Sequence, residues 1–246
     1  MESIREWLLH TGEISIAHRG ASAVCPENTM AAFRQAVVMG AICIELDVQL
    51  TTDEEVVVLH DETISRTSNG TGNVASLNWR DLAQWDFGAW FSGEFRGERL
   101  PRLAEVLEWL PVHVKLNIEL KGTPQLGKKL ADETMKLIHQ YERAHQVLIS
   151  SFHHDLLAYL RERDSQLALG ALFYGRLWPM FHLADALCLV SLHPQIDSID
   201  ENWVRKVQGH GIGVVAWTIE TPVQVRLCRD FGIQGIIVND LTLLRI

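Results

Sequence analysis

Nowhere does this chain carry an apolar run approaching the roughly 20 residues of a membrane-spanning helix, so no stable membrane association is expected. Positive charge is also short: 22 Lys and Arg stand against 31 Asp and Glu, a net charge of −9. That leaves no basic surface for general binding to nucleic acid or anionic membranes. It does not exclude an anionic substrate, because a bound cation and one or two basic side chains can make a locally positive site in an acidic protein. Cysteine is sparse. Cys25, Cys43, Cys188 and Cys228 form no CxxC pair, which excludes a disulfide scaffold and a structural zinc site of ordinary spacing. Cys43 and Cys188 lie in apolar runs and are expected as buried free thiols, which suits a reducing compartment. The opening MESIREWLLHTGE has acids and no stretch apolar enough for a secretory signal, so a cytoplasmic protein is expected. Internal repeats, linkers and low-complexity tracts are absent too. One domain over 1–246 is the simplest account.

What is present is strand–helix alternation. Short β-rich runs occur at Ile14–His18, Ile42–Val48, Val114–Leu120, Gln146–Ser150, Leu167–Leu172, Ala186–Ser191, Ile212–Trp217 and Gly235–Val238. Amphipathic stretches separate them, at Thr29–Met39, Leu103–Leu110, Gln125–Tyr141, His154–Arg163, Asn202–His210 and Val223–Phe231. Alternation of this kind predicts parallel strands joined by crossover helices. Eight strands in 246 residues predict a closed α/β barrel, a (β/α)₈ TIM barrel, with a doubly wound open sheet as the alternative. Residues 51–100 break the rhythm. They are rich in Thr, Gly, Asn, Asp and Trp and hold one strand-like run, Val56–His60, which reads as an insertion after strand 2. Loops that follow barrel strands sit on the catalytic face, so a long one there is a candidate lid or substrate platform.

Three of the runs end in polar groups: Ile16-Ala17-His18-Arg19-Gly20, Glu45-Leu46-Asp47 and Asn117-Ile118-Glu119-Leu120-Lys121. Side chains alternate along a strand, so Glu45 and Asp47 share a face, as do Asn117, Glu119 and Lys121. Either acid of the Glu45/Asp47 pair, taken alone, could be a cap or a structural ion pair. Three carboxylates from adjacent strands, with one lysine, are costly in a barrel interior unless a cation compensates them. They make an oxygen-rich cage suited to one Mg²⁺ or Ca²⁺ ion. His18 and His60 close strand-like runs on either side of this cluster. An imidazole pair suits phosphoryl chemistry, one taking a proton from the nucleophile and one giving a proton to the leaving alcohol. Arg19 can grip a phosphate oxygen, and Gly20 lets backbone pass close to it.

The elements HRG (18–20), PENT (26–29), E-x-D (45–47), HD (60–61), RT-x-x-G-x-G (66–72) and E-x-K (119–121) occur in this order, with LPRLAEVL between the last two. In this combination the chain resembles the glycerophosphodiester phosphodiesterase family from about Ile14 to near its C-terminus. The resemblance implies the phosphodiesterase type of (β/α)₈ barrel, with residues 51–100 over the glycerol side. It implies hydrolysis of small-molecule glycerophosphodiesters to glycerol 3-phosphate and an alcohol, by a chain that is a monomer or homodimer. His18 and His60 are then the acid–base pair, Glu45, Asp47 and Glu119 the metal ligands, and Arg19 and Lys121 the phosphate contacts. Glu27 supports the site, and Trp217 of Val215-Ala216-Trp217-Thr218 lines the pocket. The chain departs from the family pattern at Glu54-Glu55, Glu220 and Asn239. The last two bear on substrate preference.

Other candidates carry less. His153 and His154 start a helix and read as surface or capping groups, whereas Phe152 is a candidate pocket wall. His193 reads equally as a pocket group or a loop-stabilising one. Trp79, Trp85 and Trp90 read as a small core under the insertion, and Glu54-Glu55 as a solvated turn. Two rival functions are a relative acting on lipid phosphodiesters such as lysophospholipids, and a barrel that has lost catalysis. The second would lack a ligand or a histidine, and none is missing.

Overall fold

The computed structural model describes residues 4–10, 12–122, 126–176 and 180–245, the side chain of Met180 excepted. Nine strands occur in it: β1 Ile14–His18, β2 Cys43–Leu50, β3 Val56–Val58, β4 Lys115–Leu120, β5 Val147–Ser151, β6 Ala168–Phe173, β7 Ser191–Pro194, β8 Gly213–Ile219 and β9 Gly235–Val238. The helices are α1 Ile4–His10, α2 Met30–Val38, α3 Trp79–Leu82, α4 Leu103–Trp109, α5 Gly127–Gln140, α6 His154–Arg163, α7 Met180–Ala186, α8 Glu201–Gly209 and α9 Pro222–Phe231. All strands but β3 are parallel, and β1 pairs with both β2 and β9, which closes an eight-stranded barrel and removes the open sheet from consideration. β3 lies outside the ring, antiparallel to β2 through Val48–Val58 and Leu50–Val56.

The expected runs match these elements except in one place. Ala186–Ser191 is apolar but not a strand: Ala186 ends α7, Cys188 turns the chain at φ 46°, and β7 begins only at Ser191. That turn also exposes Cys188, against expectation, while Cys25, Cys43 and Cys228 are buried. The helix expected at Gln125–Tyr141 begins outside the described residues. Three helices were not foreseen in the sequence: α1, α3 and α7.

Alternation along the strands sorts the core in two. Ala17, Ile44, Leu46, Ile118, Ile149 and Leu192 face outward into the layer shared with the helices. Ile14, Ile16, Cys43, Leu148, Val215 and Ile237 face inward, and Ile4, Trp7 and Leu8 of α1 join them. α1 is therefore a plug. Its Arg5 guanidinium donates to the carbonyls of Gly211 (3.1 Å) and Leu189 (3.0 Å), just ahead of β8 and β7, which seats the helix at the end where the strands start. Of the described residues, no helix is long and apolar enough to cross a membrane.

Segment 51–100 carries its own small core of Val57, Leu59, Ile64, Val74, Leu82, Phe87 and Leu100, with Trp79 packed against it. Trp85 and Trp90 are partly exposed. Trp85 covers Gly70, where a Cβ would come within 2.6 Å of the indole, and the Trp90 Nε1–H donates to the Phe87 carbonyl at 3.0 Å. The Glu54-Glu55 departure falls in the β2–β3 turn, with Glu54 at φ 67°.

Candidate active site

The charged candidates His18, Glu45, Asp47, Glu119 and Lys121 sit toward the C-terminal end of the parallel barrel. His18 is the last residue of β1, Glu45 and Asp47 lie on the inner face of β2, Glu119 is the next-to-last residue of β4, and Lys121 follows that strand directly. The register sets Asp47 opposite Glu119 and Glu45 opposite Asn117, so the carboxylates converge by strand pairing alone. One oxygen from each of Glu45, Asp47 and Glu119 lies within 4.8 Å of the others, and all three residues are buried. Such a cluster can hold a metal ion. Lys121 Nζ lies 3.1 Å from Asp47 Oδ1 and 2.5 Å from Glu119 Oε1, while Arg19 Nε lies 3.2 Å from Asp47 Oδ2. Asp47 Oδ1 and Glu119 Oε1 are buried with no partner beyond the Lys121 ammonium, so each retains acceptor capacity.

Charge at the cage is unbalanced. Burial pushes Glu45 well above the usual carboxylate range, and the neighbouring Asp47 and Glu119 add to it. Burial and Asp47 push Glu119 up to about 7. Asp47 moves the other way: against the upward push of burial, Lys121 and Arg19 hold it well below its ordinary value. Three carboxyl groups with only two nearby cations make full ionisation costly. A divalent cation resolves the same imbalance with oxygen donors of the right kind, so the residues fit such an ion.

The two histidines are oriented by different partners. His18 Nδ1 lies 2.6 Å from Asn239 Oδ1, an acceptor that also receives the Ser22 hydroxyl at 3.2 Å. The amide oxygen fixes the proton on Nδ1 and leaves His18 Nε2 as the lone-pair nitrogen, 3.9 Å from Glu45 Oε2. Burial, with Arg19 beside it, pushes His18 down to about 4. His60 Nδ1 instead lies 2.7 Å from the carboxylate of Asp61. Burial lowers His60 as well, against the charge of Asp47 and the bond to Asp61.

The HRG segment is shaped by its surroundings. Arg19 takes φ 55° and its backbone N–H donates to Glu45 Oε2 at 3.0 Å, while its guanidinium donates to Glu27 Oε1 at 2.7 Å. Gly20, at φ 81°, has no room for a side chain: a Cβ there would sit 2.7 Å from the backbone carbon of Ala32 in α2. The Thr29 hydroxyl caps α2 by accepting from the Ala32 N–H at 3.2 Å, and Asn28 of the same segment donates to Asp47 Oδ2 at 2.8 Å.

The cleft above the cage has a volume of about 160 Å³. His18, Arg19, Glu45, His60, Glu119 and Lys121 form its polar side, together with Asn117; Phe152, Leu172, Tyr174 and Trp217 form an apolar wall. The rings of Phe152 and Tyr174 stack at 5.1 Å, with Trp217 edge-on to both. Of segment 51–100 only His60 reaches the cleft, so the expectation of a lid or platform is not met there. His193 is neither a pocket wall nor a loop group. It is wholly buried in the barrel, bonded to Ser191 Oγ at 2.8 Å, and its carbonyl accepts from Trp217 Nε1 at 2.8 Å. His153 and His154 lie outside the cleft, His154 bonding the Leu172 carbonyl at 2.8 Å.

Four contributors were not assigned from sequence. Asn28 lies within the PENT element, whose spacing hides that its third residue reaches Asp47. Asp61 and Arg66 lie within quoted motifs but carry no signal of what they touch: Arg66 contacts both Asp61 and Glu27. Tyr174 follows β6 in a stretch without any motif.

The model of the "Glycerophosphoryl diester phosphodiesterase family" matches residues 18–243. A glycerophosphodiester phosphodiesterase of Caldanaerobacter subterraneus is 37% identical over 226 residues, covering 92% of this chain and 93% of that protein. Glycerophosphodiester phosphodiesterase 1 of Bos taurus is 31% identical, over 84% of this chain and 72% of its own. Among solved structures, an Oleispira antarctica phosphodiesterase in complex with the product sn-glycerol-3-phosphate superposes with a TM-score of 0.91 at 26% identity, covering 96% of each chain. With the matched region running from the first histidine of the cleft almost to the last residue, the chain belongs to the glycerophosphoryl diester phosphodiesterase family.

Proposed function

We propose that this protein hydrolyses glycerophosphodiesters to glycerol 3-phosphate and an alcohol, with His18 and His60 as the proton-transfer pair and Glu45, Asp47 and Glu119 holding one Mg²⁺ or Ca²⁺ ion. The observation that carries the reading is the placement of both imidazoles in one cleft with a buried three-carboxylate cage between Arg19 and Lys121. When bound, the cation supplies positive charge to a phosphate oxygen in the transition state.

The chain's own groups do the rest. Arg19 and Lys121 face the cleft as fixed cations and complement charge on the phosphorus centre. His18, held neutral with its Nε2 lone pair toward the cage, takes the proton from the substrate's glycerol 2-hydroxyl, which attacks phosphorus. His60 gives a proton to the leaving alcohol. The unlike partners support this order: Asn239 offers His18 a neutral acceptor, whereas Asp61 offers His60 an anion that stabilises the imidazolium. The roles then reverse as water opens the cyclic phosphate. Glu27 holds Arg19 in place, and Trp217 with Phe152 excludes water from the apolar side.

His18→Ala and His60→Ala are each expected to lower kcat by at least about 10²–10⁴-fold with the bound metal retained. Near-normal turnover in either sinks the two-histidine scheme. The substrate class is tested by assaying glycerophosphocholine, glycerophosphoethanolamine, glycerophosphoglycerol and a lysophospholipid with Mg²⁺, Ca²⁺ and Mn²⁺. Preference for the acylated substrate would replace the reading with a lipid phosphodiesterase.

A further inference from the structure

One guanidinium ties together the two sides of the site. Arg66 donates from Nε (2.6 Å) and Nη2 (3.1 Å) to the two oxygens of Asp61. From its other edge Nη1 (2.7 Å) and Nη2 (2.8 Å) donate to the two oxygens of Glu27. Each carboxylate then turns a further contact toward the cleft, Asp61 to His60 Nδ1 and Glu27 to Arg19 Nη1, both at 2.7 Å. The result is a continuous chain from His60 through Asp61, Arg66 and Glu27 to Arg19, and from Arg19 to Asp47 in the cage.

We propose that Arg66 is a positioning residue of the proposed phosphodiesterase reaction: its two-sided grip aligns Asp61 behind the acid His60 and Glu27 behind the phosphate-binding Arg19, so that both face the same phosphorus. This rests on the functional reading above and adds a residue to it.

The geometry demands arginine. Only a planar fork presents two parallel N–H pairs along adjacent edges; a lysine ammonium is a point donor and engages one carboxylate at a time. The arrangement is also conspicuous in sequence distance. Glu27 precedes α2 whereas Asp61 and Arg66 follow β3, so Arg66 fastens segment 51–100 to the first βα loop beside the cleft. Asp61 responds to the contact: Arg66 pulls it down to about 2, so it stays an anion behind the imidazole. Arg66 is itself 44% exposed and fills no core space, which separates its role from packing.

The test compares Arg66→Ala and Arg66→Lys with the unaltered protein, reading kcat, KM, the melting temperature and the ¹⁵N resonances of the His60 imidazole without substrate. Both variants are expected to lose about 10- to 100-fold in kcat, the size seen when an outer partner of a site group is removed. KM on glycerophosphocholine should change by less than about threefold and the melting temperature by a few degrees at most. The His60 Nδ1–H signal, expected to be single in the unaltered protein, should broaden or split in both. Arg66→Lys with full kcat overturns the proposal, as does a kcat loss with the His60 signal unchanged, or a changed signal with kcat intact. If the unaltered protein turns over no glycerophosphodiester, the functional reading fails, while the imidazole spectra still decide whether Arg66 orients His60.

Discussion

At the scale of single residues the cage is out of balance without a cation, and that has a measurable pH signature. Glu119, at about 7, and Glu45, higher than usual, are both raised by folding. A raised carboxyl contributes stability that is full below about pH 4.5 and is lost as pH rises through its folded value. His18 is lowered, so its contribution grows from about pH 4 and is complete by about 6.5. Between pH 6.5 and 8 the raised groups that titrate in this sense are those of the cage, the raised thiols of Cys25, Cys43 and Cys228 following only as pH nears 9. Metal-free protein is therefore expected to melt at progressively lower temperature between pH 6.5 and 8, and saturating Mg²⁺ or Ca²⁺ should flatten that slope. Calorimetry with and without EDTA checks it. A metal-free slope of zero, or a Glu119→Gln variant that keeps the same slope, contradicts the account. The carboxylate cluster was legible in the sequence because strand alternation aims Glu45 and Asp47 together. Their protonation was not, since it depends on how closely Lys121 and Arg19 approach from other segments.

Elements show why residues beside the chemistry are small or oddly turned. The HRG turn leaves β1 with two consecutive positive-φ residues, and α2 packs so closely that Gly20 has no room for a methyl group. Gly20→Ala is expected to destabilise the fold by about 1–3 kcal/mol through overpacking, with further cost from its left-handed backbone. Because Arg19 is its neighbour, activity should fall at temperatures where the variant is still folded. Thermal unfolding with assays well below the midpoint separates the two effects. Most of the elements could be read from alternating runs and apolar periodicity. The misreading at Ala186–Ser191 has a plain cause: an apolar stretch of that length serves a helix end and a strand approach equally well, and only the turn at Cys188 decides. α1 was missed because Trp7-Leu8-Leu9 in an acidic segment says little until the open end of a barrel is there to receive it.

The whole molecule is a ring of strands stoppered at one end and catalytically furnished at the other. Leu8 is fully buried in the stopper. Leu8→Ala is expected to cost about 2–5 kcal/mol of stability, read as a lower melting temperature, with kcat unchanged where the protein is folded. A parallel drop in kcat would show that the two ends are coupled. Barrel closure was legible from the count of strands; what fills the sealed end was not, because it is set by α1 meeting the starts of β7 and β8 from the far end of the sequence. The packed interior also governs traffic. With Ile16, Cys43, Leu148, Val215 and Ile237 filling the barrel beneath the cleft and α1 closing it below, whatever enters the cleft must leave by the mouth it came in through. On the proposed reaction, an undeparted glycerol phosphate blocks the next arrival, so inhibition by product should be competitive with substrate.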